Sequence, residues 1–376
     1  MNRMRFHILG LPHTVTSKEY VACAYTQKVW KFGKMMKKLG HEIIHYGHTD
    51  SDVTCDEHVS VITNDDLEKA YGSYDWRKNF FKFDNNDHAY TTFFSNAIRE
   101  VGKRKQKNDF ILPFWGSGVK PICDAHTDMI CVEPGIGYAG GHWAKWKIFE
   151  SYAIYHAYCG LDNVGSCNQG WYDTVIPNYF DPDDFTFKEE KEDYYLFLGR
   201  VYTGKGIHIV NQIAEKLPHI KVKVAGQNPD NVQFPSNVEF IGYADTETRR
   251  ELMANAKGAF VPSQYVEPFG GVQIELLMSG TPTITTDWGS FAENNLHGIT
   301  GYRCRTFEQF IWATENIHNI KPKDCRTWAE NFTLDKVAPM YEEYFQSILN
   351  IHTGDGWYEP NPNRTNLDWL KKDYPK

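Results

Sequence analysis

The stretch "EPFGGVQIE", Glu267 to Glu275, sets two carboxylates on either side of a Phe-Gly-Gly turn. Upstream, "LFLGRVYTGKG" puts Arg200 and Lys205 in a loop between an apolar run and a helical pattern. Downstream, "TTDWGSFAENNLHGITGY" carries Gly289 and Glu293. Cations beside a helix N-terminus suit a diphosphate, because fixed positive charge and free backbone N–H groups meet there. A carboxylate that accepts from two hydroxyls is a directional handle for a sugar or a ribose diol. Gly270 and Gly271 have no side chain to hold a phosphate away from the helix start. Each loop alone also has a plainer reading: solvated basic residues, a capping Glu, a solvated acid.

The elements that must position these loops are legible in the alternation of patterns. In the second half, "YYLFLG", "KVKVAG", "VEFIGY", "GAFVPS" and "PTITTD" read as strands. Between them "GIHIVNQIAEKL", "TETRRELMANA" and "GVQIELLMSG" read as helices. In the first half, "RFHILGLP", a helix from Tyr25 to Leu39 and "HEIIHYG" form a strand–helix–strand unit. This order predicts α/β architecture with parallel, doubly wound sheets, in which ligands bind outside the carboxyl ends of strands. Residues 51–108 read as polar and irregular apart from helices over 64–71 and 88–106. Short apolar runs follow at 110–116, 129–135 and 173–180, and "LDKVAPMYEEYFQSIL" is helical.

A charged stretch, "DPDDFTFKEEKED", separates the halves, and its Asp cluster reads as turn and cap chemistry before a linker rather than as a metal site. The expected division is 1–184, 185–345, and an aromatic-rich segment 346–376 that packs back on the first domain.

At 376 residues the chain is long enough for two cores, and 41% hydrophobic with 23% charged residues describes a folded protein. A net charge of −8 argues against a protein that simply coats nucleic acid. Local basic runs exist, at Lys28, Lys31, Lys34 and Lys38 with helical spacing and at "KRKQK" (103–107), and both read as solvated helix faces. The 8 cysteines are scattered without a CxxC pair, as free thiols of a reducing cytosol would be. The apolar run of "MRFHILGLPH" is too short for a signal peptide and nothing resembles a membrane span, so the chain reads as cytoplasmic.

The order and spacing of the three loops resemble the donor half of glycosyltransferase family 4: Gly-Arg-x4-Lys-Gly, Glu-x7-Glu around Pro-Phe-Gly-Gly, then Asp-x-Gly-x3-Glu. The resemblance is specific across roughly 190–305. Outside it, "TQKVWKFGKMMKKLGHEIIHYG" looks like that family's first helix and second strand, and "VIPNYFDPDDF" like its interdomain junction. It implies the GT-B architecture, two Rossmann-like domains facing across a cleft, and a retaining transfer from a nucleoside diphosphate sugar. Arg200 and Lys205 would hold the diphosphate, Glu267 the transferred sugar, and Glu275 the ribose. Phe269, Gly270 and Gly271 would offer backbone to sugar and phosphate. No metal or other cofactor is expected, since cations and the helix dipole carry the leaving charge.

Two places depart from the family. Its Gly-Gly loop after the first strand is "GLPHTVT" here, with His13 or Thr14 toward the cleft, and its sugar-side His is replaced by Glu133 of "VEPGIGY". The expected acceptor is a hydroxyl of a glycan, a lipid-linked group or a small molecule. Alternatives are a hydroxylated base in DNA, as for viral GT-B enzymes, a phosphorylase with phosphate as acceptor, and a sugar-nucleotide-binding protein that has lost catalysis.

Overall fold

The computed structural model describes residues 3–73, 75–77, 83–137, 141–162 and 170–354. The expected aromatic tail (Trp357, Tyr358, Trp369, Tyr374) and Cys167 lie outside them.

The first sheet has seven parallel strands: β1 (Arg5–Leu9), β2 (Glu42–His48), β3 (Glu57–Ile62), β4 (Phe110–Pro113), β5 (Ile130–Ile136), β6 (Trp146–Phe149) and β7 (Thr174–Val175), in the order 3-2-1-4-5-6-7. The helices around it are α1 (Ala24–Lys38), α2 (Asn64–Tyr71), α3 (His88–Arg104), α4 (Lys120–Asp124) and α5 (Tyr152–Asp162). The central strands are buried on both faces, as a parallel sheet covered on two sides demands, with His7, His45 and His48 among their buried residues. Phe6 and Ile8 pack with Phe32 of α1, while Leu9 and Ile111 pack with Phe93 of α3 on the other face.

The second sheet has six parallel strands: β8 (Glu192–Leu198), β9 (Val222–Ala225), β10 (Val238–Gly242), β11 (Ala256–Val261), β12 (Thr283–Thr286) and β13 (Gly301–Cys304), in the order 10-9-8-11-12-13. Its helices are α6 (Ile207–Lys216), α7 (Thr246–Asn255), α8 (Gly271–Met278), α9 (Phe291–Asn294), α10 (Phe307–Asn316) and α11 (Pro322–Ala329). The strand order reverses between β1 and β4 in one sheet and between β8 and β11 in the other. Both reversals open a crevice at the carboxyl ends of the strands.

The chain passes between the domains twice, side by side. Phe180 N–H donates to Phe332 O and Leu334 N–H donates to Phe180 O, each at 2.9 Å. The last helix, α12 (Leu334–Thr353), then returns to the first domain, where Val337, Tyr341 and Phe345 join the core beside Phe6 and Phe32. The return therefore begins at Leu334, ahead of residue 346 where the pattern placed it, because the apolar stripe of this helix matches α1 across the crossing.

Several elements fall where no regular structure was expected: α4, α9, β13, α10 and α11, and with them β3, β6 and α5. β3 lies inside the stretch read as irregular; it is an edge strand whose Glu57 and Ser60 are exposed, so it lacks a continuous apolar run. β6 is four residues long, and α5 has mostly apolar and aromatic residues without a clean polar face.

Candidate active site

β8 ends at Leu198, and the loop beyond it carries Arg200 and a turn, Thr203–Lys205, before α6. β11 ends at Val261, and residues 262–270 lead into α8. The strands are neighbours, so the two loops converge. Lys205 Nζ lies 2.9 Å from Glu267 Oε2, and Ser263 Oγ donates to the same oxygen at 2.7 Å. Glu267 is 4% exposed, and the Tyr265 ring lies 4.9 Å from the Lys205 ammonium. A buried carboxylate held by one cation and one hydroxyl has a fixed direction.

Glycine is required at one point of this turn and at one point of the third loop. Gly270 has φ +77°, and a Cβ there would sit 2.6 Å from the Phe291 ring. Gly289, in the third loop, has φ +62°, and a Cβ there would sit 2.6 Å from Glu267 N. The third loop thus closes directly on the second, with Ser290 N–H donating to Glu267 O at 2.9 Å. Gly271 is different. A Cβ there would meet nothing nearer than Phe180 at 3.8 Å, an ordinary contact, so the fold itself would accept alanine.

Arg200, Lys205, Glu267, Gly270, Gly271 and Glu275 all line one cavity of about 270 Å³. Its other wall belongs to the first domain: Ala24, Gln27, Lys28 and Lys31, one face of α1. Glu275 is not free in it, since Arg249 Nη2 of α7 bonds its Oε2 at 2.7 Å. Arg249 and Ser263 are functional candidates that sequence reasoning missed; no spacing links Arg249 to Glu275, and only the packing of α7 beside α8 pairs them. Phe269 stands back from the cavity, with its ring buried between Phe180 and Phe332 and its carbonyl accepting from Asn294 Nδ2 at 2.7 Å. It anchors the turn to the core.

A second cavity, of about 420 Å³, adjoins the first through Ala22, Ala24 and Arg200, which line both. Its walls include the rings of Tyr25, Phe83, Phe114 and Trp115, and Glu133. Glu133 Oε2 accepts from Ala144 N–H at 2.8 Å, while Oε1 has no hydrogen-bond partner among the described residues. Burial pushes this carboxyl up to about 7, against the smaller opposing pull of backbone N–H groups.

The structure corrects the expectation for the loop after β1. Thr14 is 1% exposed, its hydroxyl is bonded to that of Thr26 at 2.9 Å, and it lines neither cavity. His13 also lines neither; it stacks on Phe83 with centroids 4.5 Å apart and its Nδ1 lies 3.0 Å from the Tyr90 hydroxyl. Burial drives its imidazole down to about 3, so it supports the ring wall as a neutral ring. Glu293, read as a solvated acid, accepts from Tyr152 N–H at 3.0 Å and Ala153 N–H at 2.7 Å, capping α5 of the other domain.

The α1 run is not a simple solvated face, whereas the 103–107 run is solvent-facing, with ion pairs at the surface. Lys28 pairs with the buried Glu150, Lys34 with Asp181, and Lys38 with Asp335. In the second run Lys103 and Arg104 pair with Glu100, and Lys105 with Asp128. On α1, Lys28, Lys34 and Lys38 are thus matched by carboxylates from outside the helix.

Two doubly wound domains meeting over such a cleft define the GT-B architecture. The chain is similar along 92% of its length to sucrose-phosphate synthase from Thermosynechococcus elongatus, with a TM-score of 0.65, 15% identity and 99% of that chain covered. It is similar over the same 92% to HepE from Anabaena in complex with UDP-glucose, with a TM-score of 0.65, 13% identity and 100% of that chain covered. Residues 181–332 match the family model of glycosyl transferases group 1. A stretch of 148 residues is 29% identical to glycogen synthase from Mycobacterium tuberculosis, covering 35% of this chain and 36% of that protein. A stretch of 115 residues is 31% identical to mannosylfructose-phosphate synthase from Agrobacterium fabrum, covering 25% of each. The alignments thus span about a third or less of these curated relatives. Among the described residues no helix is long and apolar enough to cross a membrane.

Proposed function

We propose that the protein is a retaining, metal-independent glycosyltransferase of the family 4 type, moving a sugar from a nucleoside diphosphate sugar to a hydroxyl acceptor. The observation that carries this reading is the convergence of Arg200, Lys205, Glu267, Gly271 and Glu275 on one cavity between the domains. The donor diphosphate lies against Arg200, Lys205 and the N-terminus of α8, where cations and helix dipole take up the leaving charge. Glu267 holds the sugar hydroxyls, and Glu275 holds the ribose diol. The acceptor enters the ring-walled cavity, whose wall includes Glu133 with its buried Oε1, unpartnered among the described residues. The departing phosphate oxygen takes the proton of the attacking hydroxyl, so the new bond forms on the face that the diphosphate leaves. Glu267 fixes position and charge and forms no covalent intermediate.

UDP-glucose, bound in the similar HepE, is the first donor to try. The experiment is turnover of UDP-glucose, and of GDP-, ADP-, CDP- and dTDP-sugars, with nitrophenyl glycosides or water as acceptor, with and without EDTA. One donor is expected to turn over with EDTA present and give a product of unchanged anomeric configuration. An inverted product, or no turnover of any donor, would overturn the reading.

A further inference from the structure

Four lysines line one side of α1, and three of them are accounted for by carboxylates: Lys28 by Glu150, Lys34 by Asp181 and Lys38 by Asp335. Lys31 is the exception. It makes no ion pair and no side-chain hydrogen bond among the described residues, although it lines the cavity between the domains. Its ammonium lies 4.6 Å from the centroid of the Phe180 ring, and that ring is the nearest neighbour, at 3.8 Å, of the point where a Cβ on Gly271 would stand. Gly271 is the first residue of α8. Lys31 and the first residue of α8 thus flank the same ring, and Lys31 lines the cavity with Arg200 and Lys205 from a helix that belongs to the other domain.

An ammonium in a partly buried site is costly without an anion, and a cation–ring contact offsets only part of that cost. The two carboxylates of the cavity are already taken, Glu267 by Lys205 and Glu275 by Arg249, so Lys31 adds a positive charge that neither of them neutralises directly. Glu275 and Asp184 act on Lys31 favourably only through space, and burial still pushes its ammonium below the usual lysine range. The feature that resolves this is an anion delivered to the α8 N-terminus.

We infer that Lys31 is a further donor-binding residue, supplied by the acceptor-side domain, which grips the diphosphate from opposite Arg200 and Lys205. The inference rests on the donor site proposed above. Its consequence is that the donor ties the two domains together through one lysine. Donor binding then precedes and assembles the acceptor cavity, which shares Ala22, Ala24 and Arg200 with the donor cavity.

The test is calorimetric titration of UDP, GDP and ADP into the wild-type chain, Lys31→Met, Lys31→Arg and Lys34→Met, each paired with a melting curve without nucleotide. Methionine keeps the aliphatic contact with Phe180 and removes the charge. Lys31→Met is expected to weaken the nucleotide that wild type binds by about tenfold or more, with its ligand-free Tm unchanged or raised. Lys31→Arg should restore much of the affinity, and Lys34→Met should bind as wild type. A lysine that served only the fold would instead lower the ligand-free Tm and leave affinity unaltered. Equal affinity of wild type and Lys31→Met would overturn the inference and leave the donor site standing. Failure of wild type to bind any of the three would remove the donor site and the inference with it.

Discussion

Lys205 Nζ and Glu267 Oε2 lie 2.9 Å apart, so the cation that suits a phosphate and the acid that suits a sugar neutralise each other. Glu275 and Arg249 form a second such pair at 2.7 Å. In the proposed mechanism a diphosphate that takes Lys205 would release one Glu267 oxygen for the sugar, and a ribose diol would compete with Arg249 for Glu275. The pairs keep buried and half-buried charges matched in the free protein.

Glu267→Gln keeps the shape and one acceptor atom but removes the charge that faces the sugar. Turnover is expected to fall by about 10²-fold or more, the scale of losing a group aimed at developing charge. Nucleoside diphosphate affinity should be held or improved, because Lys205 loses its carboxylate. Steady-state kinetics beside UDP titration separates the two effects, and near-normal turnover would remove Glu267 from the mechanism.

The neighbouring glycines should respond in opposite ways. Gly270→Ala forces a side chain into a left-handed backbone and onto Phe291, at a cost of about 1–3 kcal/mol in folding stability. Gly271→Ala should leave the melting temperature near wild type and weaken nucleotide binding, because its methyl group occupies the space that a phosphate needs. Melting curves and titrations of the two variants decide this.

Glu133 gives a pH signature. Its folded carboxyl titrates near 7 against an ordinary Glu value near 4.5. The folded chain holds that proton more tightly, so stability falls as pH rises through this window and the penalty is complete above about 7. Glu133→Gln removes the penalty while its amide oxygen can still accept from Ala144. The variant should gain stability over wild type by up to ~2–3 kcal/mol at pH 8 and show little difference at pH 4.5. Urea denaturation at the two pH values measures the gain; an equal difference at both would contradict it.

Glu293 joins the domains by capping α5. Glu293→Ala should cost about 1 kcal/mol, with Glu293→Gln milder because one acceptor oxygen remains. Chemical denaturation of both variants checks the order.

The parts of the site that the sequence reveals are those built from short stretches. A strand, a glycine turn and a helix start are local, so the loops after β8 and β11 and the residues Arg200, Lys205, Glu267 and Glu275 could be read directly. Their convergence follows from parallel strands being neighbours. Partners far apart in the chain were not legible: Arg249 with Glu275, Glu293 with the start of α5, Lys34 with Asp181. Lys28, Lys34 and Lys38 looked solvated because their carboxylates come from the end of β6, the interdomain crossing and α12, which no periodicity of α1 itself announces. The edge strand β3 was lost for a related reason, since half its surface faces water.

The measurement that tests the central claim most directly is a thermal-shift titration of the full chain with UDP, GDP, ADP, CDP and dTDP and their sugar forms, with EDTA present. A donor that binds only the native chain raises its Tm by mass action. One nucleotide class is predicted to do so, with the shift lost in Lys205→Ala and reduced in Glu275→Ala. No shift with any nucleotide, or a shift that survives Lys205→Ala unchanged, would contradict a donor site in this cleft.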